Sequence, residues 1–273
     1  MNLILTSFEE VSKHYQKTVQ LFVTEKCNLH CGFCFRKNKG YSIEDMPLET
    51  AKKIISKYSG TDAKISFTGG EPTLNPDLEQ MLQYCSELKI DSEIYTNGTS
   101  HFNNYSTQVK LRYDGFDKGH KPMDSKAYHG KYELGLLVNG TNTPQLLKCI
   151  QSTKEDGNFS GIIQITEVVG SSHLPVCGIE AYVKEAESIF NHTAEKYDWI
   201  KQIEISVGAI GLDTGAQKCR FERYFGNKLA GTCPHNKTAS ECKGCYFQKK
   251  VYKRRGNTIQ NARNRSKGKS KNP

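Results

Sequence analysis

Strand-like runs alternate with helix-like stretches through most of this chain, and that order restricts it to an α/β fold. Val19–Thr24, Lys64–Thr68, Ser92–Thr96, Val109–Tyr113, Tyr132–Val138 and Ile162–Val168 read as strands. Pro47–Tyr58 places Leu48, Ala51, Ile54, Ile55 and Tyr58 on one helical face, with Pro47 suited to a first turn. Asn75 is expected to cap a helix that opens at Pro76 and buries Leu78, Met81, Leu82, Cys85 and Leu88. Two more helices are expected over Pro144–Lys154 and Ile179–Lys196. Strands that alternate with helices pair in parallel through right-handed crossovers. The sheet is expected to be a barrel, complete or partial. Its chemistry then belongs to the loops at the carboxyl ends of the strands.

The 273 residues suffice for one large α/β domain, or for one domain with a small appendage. Hydrophobic residues at 36% and charged residues at 25% suit a globular protein rather than a membrane or disordered one. No apolar run approaches the roughly 18 residues of a membrane span. Met1–Lys17 offers Leu3-Ile4-Leu5 and then turns acidic at Glu9-Glu10, which lacks the basic flank of a secretory signal. A cytoplasmic location is therefore expected. In a reducing compartment the ten cysteines point to metal binding or redox chemistry rather than to disulfides.

Cys27-Asn28-Leu29-His30-Cys31-Gly32-Phe33-Cys34 is the sharpest local feature. Three thiolates at this spacing can hold one face of an iron–sulfur cube, and Phe35–Leu82 contains no fourth cysteine. A cube held by three thiolates keeps one iron without a protein ligand, and chemistry can happen there. The plain alternative is a zinc site that takes His30 as its fourth ligand, although His30 lies directly beside Cys31. The next strand runs into Gly69-Gly70-Glu71-Pro72. Its glycines let the backbone approach a ligand closely, and Glu71 offers an acceptor. In a parallel sheet both loops lie on the same edge.

Together these residues resemble the radical S-adenosylmethionine superfamily, over roughly Val19 to Val169. The likeness rests on the three-cysteine signature, with aromatic Phe33 before its last cysteine, and on the Gly-Gly-Glu-Pro motif. It implies a partial (β/α)6-type barrel with a small Cys-rich C-terminal extension, and the composition beyond that extension reads as a disordered basic tail. The likeness implies that Cys27, Cys31 and Cys34 hold a [4Fe–4S] cluster whose open iron binds S-adenosylmethionine. Gly69, Gly70 and Glu71 would then meet the amino group of that cofactor, and Phe33 its adenine. Asn97, Arg112, Asp114 and Glu167 sit at strand ends where family members place ribose or methionine contacts, each with a plain alternative as a turn or rim residue. The implied reaction is reductive cleavage of S-adenosylmethionine to a 5′-deoxyadenosyl radical, which abstracts hydrogen from a substrate. The implied electron source is a reductant such as flavodoxin or ferredoxin.

After Ile203–Val207 the character changes: Gly208–Gln248 is rich in Gly and Cys, a composition that usually needs a metal to hold it together. Cys219, Cys233, Cys242 and Cys245 resemble the auxiliary-cluster extensions of the superfamily, of the twitch or SPASM type, without the exact SPASM spacing. They are expected to bind a second [4Fe–4S] cluster, or zinc, which paired cysteines satisfy equally well. Cys85 and Cys149 fall on apolar helix faces and are expected to be core thiols. Cys177 is a candidate hydrogen-atom donor, with an ordinary loop cysteine as the alternative. The expected divisions are 1–18, a lead-in; 19–202, the barrel; 203–248, the Cys-rich extension; and 249–273, the basic tail.

The net charge of +9 is a property of that tail. Tyr246–Pro273 carries ten basic residues and no acidic one; without them 28 basic residues face 29 acidic ones, a charge of −1. Such an arm can grip a polyanion or simply stay solvated. The resemblance to auxiliary-cluster members of the superfamily implies, as the leading expectation, an enzyme that modifies a peptide, by cross-linking or epimerisation. Modification of an RNA or nucleotide, with nucleic acid held by the tail, is the alternative. A zinc-bearing nucleic-acid binder is a third reading, but it leaves the Gly-Gly-Glu-Pro motif without a task.

Overall fold

The structure is a computed structural model that describes residues 3–4, 18–29, 31, 34, 44–113, 130–167, 179–206, 221–225, 228–229 and 252–254. Its strands are β1 (Leu3–Ile4), β2 (Thr18–Thr24), β3 (Lys64–Gly69), β4 (Ser92–Thr96), β5 (Gln108–Tyr113), β6 (Tyr132–Val138), β7 (Phe159–Glu167), β8 (Gln202–Ser206), β9 (Phe221–Phe225), β10 (Lys228–Leu229) and β11 (Tyr252–Arg254). The helices are α1 (Leu48–Ser56), α2 (Leu78–Glu87), α3 (Thr143–Ser152) and α4 (Ile179–Lys196). One sheet contains all the strands, in the order β1-β11-β8-β7-β6-β5-β4-β3-β2-β9-β10. From β9 through β2 to β8 every neighbouring pair is parallel. The outermost pairs, β9–β10, β8–β11 and β11–β1, are antiparallel. This is the expected α/β architecture, an open parallel sheet of the partial-barrel kind.

The helices bury the stripes that their spacing promised. Ala51, Ile54 and Ile55 on α1 and Leu78, Met81, Leu82 and Cys85 on α2 pack on Val19, Leu21, Ile65, Phe67 and Ile94. Leu146, Cys149 and Ile150 on α3 join Tyr182, Ala186 and Ile189 of α4 over Leu134, Leu136, Ile163 and Ile165. Cys85 and Cys149 are thus core thiols, and burial pushes both up to about 12.

Three boundaries differ from expectation, each for a local reason. Asn75 does not cap α2. Its Nδ2 donates to Val23 O at 2.6 Å and Met46 O at 3.2 Å, and its Oδ1 accepts from Asp77 N. A 3₁₀ turn, Pro72–Leu74, precedes it, and the helix opens only at Leu78. The barrel sheet also continues through β8 to Ser206, beyond the expected division at 202, because Ile162–Thr166 still offers β8 a parallel partner. Finally, Tyr252–Arg254 falls at the start of the expected disordered tail yet forms β11. There it pairs with Ile205 and Glu204 on one side and with Leu3 and Ile4 on the other. A strand with open backbone groups on both sides satisfies them by such pairing.

The face of the sheet turned away from the helices is polar. Register puts Ser66 beside Glu93, Glu93 beside Gln108, and Tyr95 beside Lys110. Lys110 lies beside Glu133, Arg112 beside Gly135, and Gly135 beside Gln164. Lys110 Nζ is 3.1 Å from Glu93 Oε2 and 3.9 Å from Glu133 Oε2, and Lys64 adds a longer contact to Glu93 at 3.8 Å. Among the described residues no helix is long and apolar enough to cross a membrane.

Candidate radical site at the carboxyl edge of the sheet

Parallel pairing brings the ends of β2, β3, β4 and β5 to one edge, so the segments after Thr24, Gly69 and Thr96 converge. Backbone bonds join the first two: Gly70 N donates to Thr24 O at 2.8 Å, and Glu71 N donates to Lys26 O at 2.8 Å. The Gly-Gly-Glu-Pro loop is therefore stitched to the residue immediately before Cys27. Gly69 makes this approach feasible. A Cβ there would overlap Thr24 O and stand 3.1 Å from Thr24 N and 3.2 Å from Thr24 C. Gly69→Ala is accordingly expected to part the two loops and cost about 1–3 kcal/mol by overpacking. Urea unfolding of the variant against the parent checks this.

Glu71 acts as a cross-brace. It is 1% exposed, and its Oε1 accepts from Thr73 N at 3.2 Å, Thr73 Oγ1 at 2.7 Å and Thr96 Oγ1 at 2.6 Å. Oε2 accepts from Asn97 N at 2.8 Å. Burial raises its carboxyl above the usual value, against the opposing pull of the Thr96, Asn97 and Thr73 donors. The carboxylate thus ties the β3 loop to the end of β4.

Asn97 reaches in the other direction. Its Nδ2 donates to Asn28 Oδ1 at 2.9 Å, and its Oδ1 accepts from Thr99 N and from Thr99 Oγ1, the latter at 2.6 Å. Asn28 Nδ2 closes the ring by donating to Thr99 Oγ1 at 2.7 Å. Asn28, between Cys27 and Cys31, is thereby fixed to the β4 loop. Neither Asn28 nor Thr99 carried a sequence signal, since their partners lie about seventy residues away along the chain. On the other side Lys26 Nζ pairs with Asp45 Oδ2 at 2.7 Å, and Thr24 Oγ1 donates to Asp45 Oδ1. Despite burial, those partners hold the Asp45 carboxyl below its ordinary value.

Cys27 is exposed, Cys31 and Cys34 are half-buried, and none of the three is in a disulfide. Cys34 N donates to Cys31 O at 3.2 Å, a turn that keeps these two on one short arc. Among the described residues no three His, Cys, Asp or Glu side chains stand together in metal-binding geometry. The donor set still fits a cluster of the expected kind: three accessible thiols on one loop, with that loop tied at Lys26 and Asn28. Arg112 lies at the end of β5, where its Nη1 donates to Thr166 Oγ1 at 2.7 Å. Glu167 ends β7. Phe33, Asp114, Cys177, Cys219, Cys233, Cys242 and Cys245 lie outside the described residues.

A family model described as the radical SAM superfamily matches residues 21–112, the span that holds all three stitched loops. Residues 21–112 form a radical SAM domain. Among curated relatives, a 7,8-dihydro-6-hydroxymethylpterin dimethyltransferase of Methanocaldococcus jannaschii is 29% identical over 60% of this chain and 32% of its own. A probable GTP 3′,8-cyclase of Pyrococcus abyssi is 27% identical over 39% of this chain and 34% of its own. The chain spans about a third of the length of the curated relatives it matches. Among solved structures, SuiB of Streptococcus suis superposes with a TM-score of 0.60 at 14% identity, over 85% of this chain and 65% of that one. That likeness is one of fold.

Proposed function

We propose that the chain is a radical S-adenosylmethionine enzyme and that a peptide is its substrate. The stitched edge carries this reading. Backbone bonds hold the Gly-Gly-Glu-Pro loop against the residue before Cys27, and Asn28 anchors the cysteine loop to β4. Cys27, Cys31 and Cys34 would hold a [4Fe–4S] cluster, which supplies the electron that splits the sulfonium bond of S-adenosylmethionine. Gly69 and Gly70 would present backbone to the amino group of that cofactor, and Phe33 would meet its adenine. Glu71 and Asn97 keep those two surfaces in register through the bonds already made between the loops. A flavodoxin- or ferredoxin-like reductant supplies the electron.

The peptide substrate has support from the fold likeness to SuiB, which is also known bound to its precursor peptide SuiA. A second reading, modification of a nucleotide, has its own support in sequence relatives named as GTP 3′,8-cyclase and nucleotide dehydratase. The basic tail suits an RNA version of it. Cys219, Cys233, Cys242 and Cys245 would bind a second [4Fe–4S] cluster in an auxiliary extension, with zinc as the alternative, and Cys177 is a candidate hydrogen donor.

Metal analysis after anaerobic reconstitution tests this. About eight irons and no zinc per chain are expected for two cubanes. About four irons with one zinc would keep the radical chemistry and make the C-terminal cysteines a structural zinc unit. Zinc without iron would end the enzyme reading.

A further inference from the structure

Gln164 on β7 has its Oε1 buried and without a hydrogen-bond partner among the described residues. An unmatched buried oxygen lowers stability, so a position that served packing alone would carry an apolar side chain. The neighbourhood is built around a position without a side chain. Register sets Gln164 beside Gly135 on β6, and Gly135 beside Arg112 on β5, on the face turned away from the helices. Because position 135 has no side chain, Arg112 lies across that strand. A Cβ on Gly135 would meet Arg112 Cδ at 2.8 Å and Nη1 at 3.1 Å.

The Arg112 guanidinium is held in that pose by two contacts. Its Cζ stands 4.4 Å from the centre of the Tyr95 ring, and Nη1 donates to Thr166 Oγ1 at 2.7 Å. Thr166 is two residues beyond Gln164 and therefore on the same face of β7. A rigid guanidinium and an acceptor in need of a donor thus border the same part of the inner sheet, near the edge that carries Cys27. A phosphate receptor would be built differently. The neighbouring cation, Lys110, already faces Glu93 and Glu133, and a carboxamide oxygen repels an anion.

The geometry points to a substrate subsite, formed by Gln164 and Arg112 over Gly135, for a group that presents an N–H donor beside an oxygen acceptor. An amide has this pattern: its N–H donates to Gln164 Oε1 and its carbonyl accepts from the Arg112 guanidinium. A peptide bond supplies it, and so does the lactam edge of a purine. The inference rests on reading the edge above as a radical S-adenosylmethionine site, and it deepens that reading by naming the substrate chemistry.

Thermal melting of the reconstituted full chain, with N-acetylglycinamide or guanosine as probe, tests it. N-acetylglycinamide is expected to raise the melting temperature of the parent in a concentration-dependent way. Gln164→Leu and Gln164→Met are expected to melt about 2–4 °C higher without probe, because the orphan oxygen is gone. Both should bind the probe at least tenfold more weakly. A rise with guanosine alone upholds the amide subsite and overturns the peptide reading. No rise with either probe, an equal rise in both variants, or a lower melting temperature in both overturns the subsite. Iron uptake and S-adenosylmethionine cleavage by the parent are read separately. A parent that passes both yet ignores the probes loses only the subsite, while one that binds the probes without taking up iron loses the radical reading.

Discussion

Replacing Cys31 by alanine is expected to bring S-adenosylmethionine cleavage to the uncatalysed background and to remove the iron of one cluster. With the second cluster intact, about half the iron of the parent should remain. The reasoning is local. The Cys31 carbonyl, not its thiol, accepts the 3.2 Å bond from Cys34 N, so alanine deletes a ligand and keeps the turn. Asn28 and Lys26 remain tied to Thr99, Asn97 and Asp45 through atoms that the substitution does not touch. The loop should therefore hold its place while the cubane loses a third of its thiolates. The measurements are 5′-deoxyadenosine released under dithionite and iron per chain. Cys85→Ala provides the contrast. That thiol is fully buried on α2 and raised to about 12, so its loss should lower stability and leave the iron count alone. Parental 5′-deoxyadenosine from the Cys31→Ala chain would overturn the assignment of the cysteine loop.

The parts of this architecture visible in the sequence are those whose physics is local. β2, β3, β4 and β6 are short runs bounded by turn residues, and the helical stripes of α1 to α4 repeat every three or four residues. Both patterns come from burial of a contiguous segment. The cysteine loop and Gly69–Pro72 were legible because their spacing is chemical. What escaped depends on distance along the chain. Asn75 reads as a helix cap until its amide is seen spent on Val23 and Met46, up to fifty-two residues away. β9 has a partner in β2 two hundred residues earlier, and β11 is three residues long in a basic stretch. The polar inner face is the largest omission. In Gln108-Val109-Lys110-Leu111-Arg112 the alternation is plain, but alternation alone describes a solvated face equally well. Only the register shows that Lys110 stands between Glu93 and Glu133.

Lys110→Met should be among the most destabilising single changes on that inner face, at about 3–5 kcal/mol near neutral pH. Glu93 is 5% and Glu133 7% exposed, and removing the ammonium between them leaves two buried carboxylates without their shared cation. The pH dependence gives the mechanism a signature. Burial raises the Glu93 carboxyl, but Lys110 and then Lys64 pull harder, and its folded value lies below the ordinary 4.5. A depressed carboxylate contributes stability above its unfolded value and loses it as pH falls through the folded one. In Lys110→Met the pull of Lys110 is gone while burial remains, so protonation of Glu93 relieves the variant rather than harming it. The gap in unfolding free energy between parent and variant should therefore be widest at pH 7 and narrow as the pH drops below about 5. Glu93→Gln added to Lys110→Met should recover part of the loss at pH 7, because it removes one of the two carboxylates that lost Lys110 and leaves the other without a like charge beside it. Urea unfolding of the three chains at pH 7 and pH 4.5 measures all of this. A gap that does not change with pH would mean that Lys110 stabilises by packing its methylenes and not by neutralising Glu93.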